Sequence, residues 1–206
     1  MLGFFNYTVW ITYTSLATSI LGIFLACQGN ALAGMICLVL SGFCDAFDGR
    51  VARTRIQSTD DEKRFGIQLD SLCDLVCFGV LPITIGYAIG LQQWYYLPIM
   101  ILYVLGALIR LAYFNVLAEE TLADPNKKPG YIGLPVTSVS LILPIIFLTH
   151  NFLSATLFPI VYGIALLAIA VAFVSKFHMP KPNLKAIIVM LVLGLSEFIL
   201  LLIFGA

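Results

Sequence analysis

The sequence predicts an all-α polytopic membrane protein. Hydrophobic residues make up 61% of the 206 residues and charged residues only 11%, whereas soluble domains carry roughly 25% charged residues. The mean hydropathy is +1.01. Apolar runs near the roughly 20 residues that a membrane-spanning helix needs recur along the whole chain. We therefore expect one integral membrane domain over residues 1–206, with membrane lipids around it and no nucleic-acid partner.

Six or seven apolar segments account for most of the chain. They run at about 8–27, 31–54, 65–90, 95–119, 133–150, 154–175 and 183–205. Turn-forming residues separate them, such as Gln28-Gly29-Asn30 and Asp124-Pro125-Asn126. Trp94, Tyr95 and Tyr96 are typical of an aromatic belt at a membrane interface.

The basic residues predict an orientation. Threading seven helices through a membrane places all eleven Lys and Arg residues on one side, which the positive-inside rule makes cytoplasmic. The N-terminus is then cytoplasmic as well. Residues 1–10 contain no Lys or Arg, so no cleavable signal peptide is expected. The sequence thus predicts an integral protein of the cytoplasmic membrane.

Charge is concentrated between residues 45 and 74, which lie between apolar segments. This stretch holds seven of the eleven acidic residues and five of the eleven basic ones. Asp45 and Asp48 are three residues apart and Asp70 and Asp74 four apart, so each pair shares one face of a helix. Four converging carboxylates repel one another, and one or two hard divalent cations remove that repulsion. The spacing therefore predicts a carboxylate-bound metal site at the membrane–water boundary.

Small residues accompany both acidic pairs. Gly49 and Ala52 follow the first pair on the same stripe and leave room for a flat or bulky group, and Gly66 precedes the second pair and permits the close approach of a helix or a phosphate. The alternative is that the aspartates pair with neighbouring bases in a solvated loop. That alternative suits Asp60, Asp61 and Glu62, which lie in the polar connection at 54–64. It does not suit Asp70 and Asp74, because LDSLCDLVCFGVLP is otherwise apolar.

The same stretch resembles a known family. DAFDGRVAR followed by FGIQLDSLCD is similar to the signature of the CDP-alcohol phosphotransferases, D-x-x-D-G-x-x-A-R and then G-x-x-x-D-x-x-x-D. The fixed positions are all present, as Asp45, Asp48, Gly49, Ala52, Arg53, Gly66, Asp70 and Asp74. The connection between Arg53 and Gly66 is longer than in the general pattern.

This resemblance implies a six-helix core, here followed by one further C-terminal helix, and a homodimer. It implies transfer of a phosphatidyl-type group from a CDP-linked lipid to an alcohol, with release of CMP. The residues expected to hold one or two Mg²⁺ or Mn²⁺ ions are Asp45, Asp48, Asp70 and Asp74, of which Asp74 is also the expected general base. The residues expected to bind CDP are Asp45, Gly49, Ala52, Arg53 and Gly66.

Three stretches resemble the membrane-embedded phosphatidylserine synthases within that family. They are FGIQLDSLCDLVCFGVLP, RLAYFNV at 110–116 and GLPVTS at 133–138. The narrower resemblance implies CDP-diacylglycerol as the donor and L-serine as the acceptor. Arg110 is then expected to bind the serine carboxylate. Asn115 is a second expected polar contact, although five residues place the two about 140° apart on a helix.

Other functions fit parts of the same pattern. A sibling enzyme would use glycerol phosphate or an inositol phosphate as the acceptor, or an isoprenoid lipid of the archaeal type as the donor. A cation transporter would also place carboxylates in a membrane, but near the midplane and on broken helices. The acidic pairs here lie at one end of the helices, beside bases suited to phosphate.

Overall fold

A computed structural model describes residues 9–53, 59–123, 131–176, 178–179 and 184–205. The helices within these ranges are α1 (Val9–Cys27), α2 (Ala31–Arg53), α3 (Asp60–Asp74), a π-helical segment (Leu75–Val80), α4 (Leu81–Ala88), α5 (Leu97–Ala123), α6 (Val139–Leu148), α7 (Leu157–Val174) and α8 (Leu184–Phe204). Short 3₁₀ turns precede α5 and flank α6. Since α3, the π-helical segment and α4 are continuous, each predicted apolar segment corresponds to one helical rod, and the all-α expectation is confirmed.

Four described helical stretches are long and apolar enough to cross a membrane: Val9–Cys27, Asp60–Ala88, Trp94–Leu122 and Leu157–Val174. Three shorter apolar helices complete the predicted set: Ala31–Phe47, Val136–Asn151 and Val189–Phe204. Large apolar side chains such as Ile101, Leu105 and Val171 are exposed on the outside of the bundle, as expected of helices surrounded by lipid. The protein is an integral membrane protein.

Close helix crossings hold α2 between its neighbours. A Cβ atom at Gly22 of α1 would lie 2.6 Å from the Cβ of Cys37 in α2, and one at Gly42 of α2 would collide with the side chain of Ser140 in α6. Helices in lipid associate through close van der Waals contact of this kind, because burial from water no longer drives them together. The helix that carries Asp45 is therefore fixed on two sides.

Two tyrosine hydroxyls satisfy backbone groups where the long helix is irregular. Pro82 has no N–H to donate to the carbonyl of Phe78, four residues earlier. The hydroxyl of Tyr103 in α5 donates to that carbonyl at 2.7 Å, and the hydroxyl of Tyr162 in α7 donates to the carbonyl of Pro82 at 3.1 Å. Both tyrosines are fully buried. The sequence analysis did not predict the π-helical segment, which begins directly after Asp74.

Helix α3 begins earlier than predicted. The sequence analysis placed residues 54–64 in a polar connection, whereas α3 starts at Asp60. Thr59 and Glu62 form a capping box: the Thr59 hydroxyl accepts from the Glu62 N–H at 3.3 Å, and the Glu62 carboxylate accepts from the Thr59 N–H at 3.1 Å. Three acidic residues in the first turn also stabilise the start of α3, because their negative charge interacts favourably with the positive end of the helix dipole.

Two connections at the same end of the bundle pair with each other. Strand β1 (Tyr131–Ile132), between α5 and α6, pairs antiparallel with β2 (His178–Met179), between α7 and α8. Helix α8 packs on α2 and α6, where a Cβ at Gly194 would lie 3.2 Å from the ring of Phe43. The last predicted segment thus belongs to the bundle.

Candidate active site

Three of the four predicted aspartates come together. Carboxylate oxygens of Asp45 from α2 and of Asp70 and Asp74 from α3 lie within 4.8 Å of one another, and all three side chains are half-buried. Asp70 and Asp74 reach the same place because a four-residue spacing returns to one face of a helix. Oxygen ligands at this spacing are the set that hard divalent cations prefer, so the residues fit the metal that the sequence predicts.

The remaining residues of the first motif lie outside the described side chains. Asp48, Gly49, Ala52 and Arg53 belong to the last turns of α2, whose backbone is described. Their predicted roles stay predictions. Gly66 is described, and a Cβ built there would meet no described atom within 4 Å. Its predicted contact with the CDP group stays a prediction.

Serine side chains link α1 to both acid-bearing helices. The Ser19 and Ser41 hydroxyls are 2.7 Å apart, and Ser15 donates to the carbonyl of Ser41 at 3.3 Å and lies 3.6 Å from the sulfur of Cys77. Ser41 is one turn before Asp45, and Cys77 is nearly one turn after Asp74. The sequence analysis did not single out these residues; the only sequence signal was a serine or cysteine at helical spacing from an aspartate.

Asn115 contacts α3 and does not face Arg110. Its Oδ1 accepts from the Ser71 hydroxyl at 2.6 Å, and its Nδ2 donates to Oε1 of Gln68 at 3.1 Å. The Gln68 amide in turn donates to Glu119 at 3.4 Å. Both polar groups of the Asn115 side chain are thus engaged with the helix that carries Asp70 and Asp74. The prediction that Asn115 contacts the acceptor stays a prediction.

Arg110 is held against the segment that precedes α6. It is 7% exposed, and its Nε donates to the carbonyl of Leu134 at 3.1 Å. Gly133 has φ +76°, and a Cβ there would lie 3.0 Å from the Ser175 carbonyl oxygen and 3.6 Å from the Arg110 Nε. A left-handed backbone and this crowding both favour glycine. A buried guanidinium is thereby fixed in place by backbone from another part of the chain.

These contacts join the three stretches on which the narrower resemblance was based. Asn115 connects RLAYFNV to Gln68 and Ser71 of FGIQLDSLCDLVCFGVLP, and Arg110 connects RLAYFNV to Leu134 of GLPVTS. Segments far apart in sequence therefore meet at α5, through one contact at Arg110 and another at Asn115. The sequence analysis expected them to share a function but did not predict these contacts.

Glu197 of α8 lies apart from these contacts. It is 4% exposed, and its Oε2 has no hydrogen-bond partner among the residues that the structure describes. The packing of α8 on α2 and α6 accounts for the burial. Hydropathy of a single helix could not show which face would be covered.

Known proteins share this sequence pattern. The family model described as CDP-alcohol phosphatidyltransferase matches residues 5–177. The CDP-diacylglycerol–serine O-phosphatidyltransferase of Bacillus subtilis is 28% identical over 172 residues, which cover 82% of this chain and 87% of that protein. The Helicobacter pylori J99 protein of the same name is 31% identical over 194 residues, 88% of this chain and 76% of that protein.

A relative of the same name from Saccharomyces cerevisiae is 43% identical over 109 residues, which cover 51% of this chain but only 38% of the yeast protein. The family model covers well over half of the chain. The chain belongs to the CDP-alcohol phosphatidyltransferase family and is an enzyme of that family. Helix α8 begins at Leu184, beyond the matched residues.

Proposed function

We propose that this enzyme transfers the phosphatidyl group of CDP-diacylglycerol to the hydroxyl of L-serine, which gives phosphatidylserine and CMP. The observation that carries the proposal is the cluster of Asp45, Asp70 and Asp74 on two membrane helices, joined through α3 and α5 to the stretches that resemble phosphatidylserine synthases. The names of the bacterial and yeast relatives support the same donor and acceptor.

In this proposal the acidic cluster, with Asp48 as a further ligand, would hold the metal that binds the diphosphate end of the donor. When bound, one or two Mg²⁺ or Mn²⁺ ions supply the positive charge that a diphosphate needs beside carboxylates. Gly49, Ala52, Arg53 and Gly66 border the CDP group.

Asp74 acts as the general base and accepts the proton of the serine hydroxyl. The serine oxygen forms a bond to the phosphorus of the phosphatidyl group, and the bond from that phosphorus to CMP breaks. Arg110 binds the serine carboxylate, because a buried guanidinium held by the Leu134 carbonyl is a preorganised partner for a planar anion.

The catalytic end of the bundle faces the cytoplasm in this proposal, and the whole chain works as one domain within a homodimer. The basic residues around the same connections support the orientation. In a Cys27→Ser background, an impermeant thiol reagent applied to intact cells should label a Gln92→Cys variant and leave an Asp61→Cys variant unlabelled. The opposite pattern would reverse the orientation. Chemical cross-linking of the purified protein tests the dimer.

Release of CMP by the purified enzyme tests the reaction. The assay supplies CDP-diacylglycerol, Mn²⁺ or Mg²⁺, and L-serine, glycerol phosphate or inositol phosphate in turn. We expect serine-dependent release that Asp74→Asn abolishes. The matched control is Asp61→Asn, the same substitution at an exposed position of α3 outside the cluster, which should keep its activity. Release driven only by another acceptor would refute the serine assignment.

Removal of metal tests the role of the acidic cluster. A chelator should abolish CMP release, and added Mn²⁺ or Mg²⁺ should restore it, because the carboxylates alone repel the diphosphate. Full activity in excess chelator would contradict the metal site.

Arg110→Lys tests the acceptor site. A lysine keeps the charge but loses the planar pair of donors, so the KM for serine should rise about tenfold, equivalent to about 1.4 kcal/mol, while the KM for CDP-diacylglycerol stays unchanged. A raised KM for the lipid instead would place Arg110 at the donor.

A further inference from the structure

We propose that Asn115 is a positioning residue: its hydrogen bonds to Ser71 and Gln68 set the rotation of α3 about its own axis, and so the spacing between Asp45 and the Asp70–Asp74 pair. The relevant contacts are the 2.6 Å bond from Ser71 and the 3.1 Å bond to Gln68. Asn115 would not contact the substrate in this role.

Helix α3 presents two different faces. At 100° per residue, Gln68 and Ser71 point in one mean direction and Asp70 and Asp74 in another, roughly 110° away. The first face meets α5 through Asn115, and the second meets Asp45 of α2. Turning α3 to improve one contact necessarily moves the other, so the bond to α5 controls where the carboxylates point.

Apolar packing does little to fix the rotation of α3 in its described part. Ser71 and Cys73 are the buried residues of this helix, whereas Cys77, Phe78 and Gly79 are buried in the π-helical segment and Leu81 and Ile85 in α4. A large buried side chain resists rotation because it fits only one cavity. Since the described part of α3 buries no large side chain, the directed bonds of Ser71 and Gln68 to Asn115 add to the hold that the packed π-helical segment exerts on the same rod.

Small rotations matter at this distance from the helix axis. Side chains lie about 5–6 Å from the axis, so a turn of about 10° displaces a carboxylate by about 1 Å. The oxygens of the cluster lie within 4.8 Å of one another, and a metal site tolerates errors of only about 0.2 Å in its ligand distances. Loss of the Asn115 bonds should therefore weaken metal binding before any substrate is present.

The test measures Mn²⁺ binding to the purified, substrate-free protein by the electron paramagnetic resonance signal of free Mn²⁺. Asn115→Ala should weaken binding about tenfold, as loss of a group that orients metal ligands commonly does. The matched control is Asn151→Ala, which removes another interhelical amide bond, 2.8 Å from Nδ2 to the Phe204 carbonyl. That variant should bind Mn²⁺ within about twofold of the parent enzyme.

A double-mutant cycle with Ser71 separates positioning from a general loss of structure. Ser71→Ala should weaken Mn²⁺ binding in the same direction, and the double variant should bind no worse than Asn115→Ala, because both changes break the same bond. Additive losses would contradict the proposal. If Asn115→Ala does not yield folded protein, Ser71→Ala and Gln68→Ala test the same two bonds from the α3 side and leave the residues of α5 unchanged.

Kinetics then distinguish this role from contact with the acceptor. A raised KM for serine in Asn115→Ala with unchanged Mn²⁺ binding would overturn the proposal and make Asn115 an acceptor contact. Unchanged Mn²⁺ binding and unchanged kinetics would overturn it as well. The inference rests on the proposed function only through the metal site, and the binding measurement uses no donor or acceptor. If the acceptor is not serine, the expected result of the Mn²⁺ binding measurement stays the same.

Discussion

The two halves of the long helix Asp60–Ala88 are held in place by different forces. The first half, α3, carries the acidic pair and is fixed by side-chain hydrogen bonds to α5 and by its capping box. The second half, the π-helical segment and α4, is fixed by buried apolar residues such as Phe78, Leu81 and Ile85, all 0% exposed. Polar contacts therefore hold the first half of this continuous helix, and close apolar packing holds the second half.

This difference separates function from stability along one helix. Hydrogen bonds specify direction but contribute modest net stability, which suits a segment that must aim carboxylates. Packing contributes more free energy and fixes position without specifying a polar direction. Substitutions of the acidic pair of α3 or of its contacts to α5 should therefore change activity and metal binding, and substitutions of buried residues in the second half should change stability.

The largest effect is expected from Asp70→Asn in α3. Activity should fall about a thousandfold, because loss of a ligand removes several kcal/mol of charge stabilisation. Thermal unfolding in chelator should be unchanged or shifted to higher temperature, since one of three mutually repelling carboxylates is gone. CMP release and the unfolding midpoint measure the two effects. A large drop in the midpoint would break the proposed division between the halves.

Leu81→Ala tests the packed half. Leu81 is fully buried, and its methyl groups lie 3.1 and 3.3 Å from the position of a Cβ at Gly22. The cavity should cost about 3 kcal/mol of unfolding free energy, seen as a lower denaturation midpoint in detergent, while Mn²⁺ affinity of the folded protein stays the same. Leu72→Ala, at a 65% exposed position of α3, is the control and should be near neutral. Equal losses of unfolding free energy in Leu81→Ala and Leu72→Ala would contradict the idea that packing stabilises mainly the second half.

Tyr103→Phe should cost less, about 2 kcal/mol, because it leaves the buried Phe78 carbonyl without the donor that Pro82 cannot supply. Tyr162→Phe removes the longer bond to the Pro82 carbonyl and should cost about half as much. The unfolding midpoints of the two variants in detergent measure both losses of stability. A larger loss of stability in Tyr162→Phe than in Tyr103→Phe would contradict the role given to Pro82, which is that its missing N–H makes the Tyr103 bond the more important one.

The smallest effect is expected at the start of α3. Thr59→Ala should cost about 1 kcal/mol locally by removing one half of the capping box. Amide hydrogen exchange should then quicken in the first turn of α3, with CMP release within about twofold of the parent enzyme. Asp61→Asn, in the same turn but outside the cap, is the control. Faster exchange reaching Asp74 would mean that the cap stabilises the whole acid-bearing half.

Hydropathy and helical periodicity were sufficient for the helical rods and for the acidic stripes. The predicted segments match the described helices to within a few residues at most ends, and Asp45, Asp70 and Asp74 meet as their spacing indicates. The start of α3 was missed although Thr59 and Glu62 carry the capping-box spacing, because the surrounding charges read as a loop. The π-helical segment was missed because its residue pattern does not differ from that of an α-helix, and the Tyr103 hydroxyl that satisfies the Phe78 carbonyl comes from another helix.

The sequence by itself determined that this chain lies in a membrane as helices and that its aspartates share helix faces, because hydropathy and the angle per residue are local properties. It also carried the motif of the CDP-alcohol phosphatidyltransferase family. Only the tertiary structure decided that Asn115 bonds to α3, that Arg110 meets Leu134 and that Glu197 is buried. Those outcomes depend on which helices become neighbours and on their rotation, and packing of the whole bundle sets both.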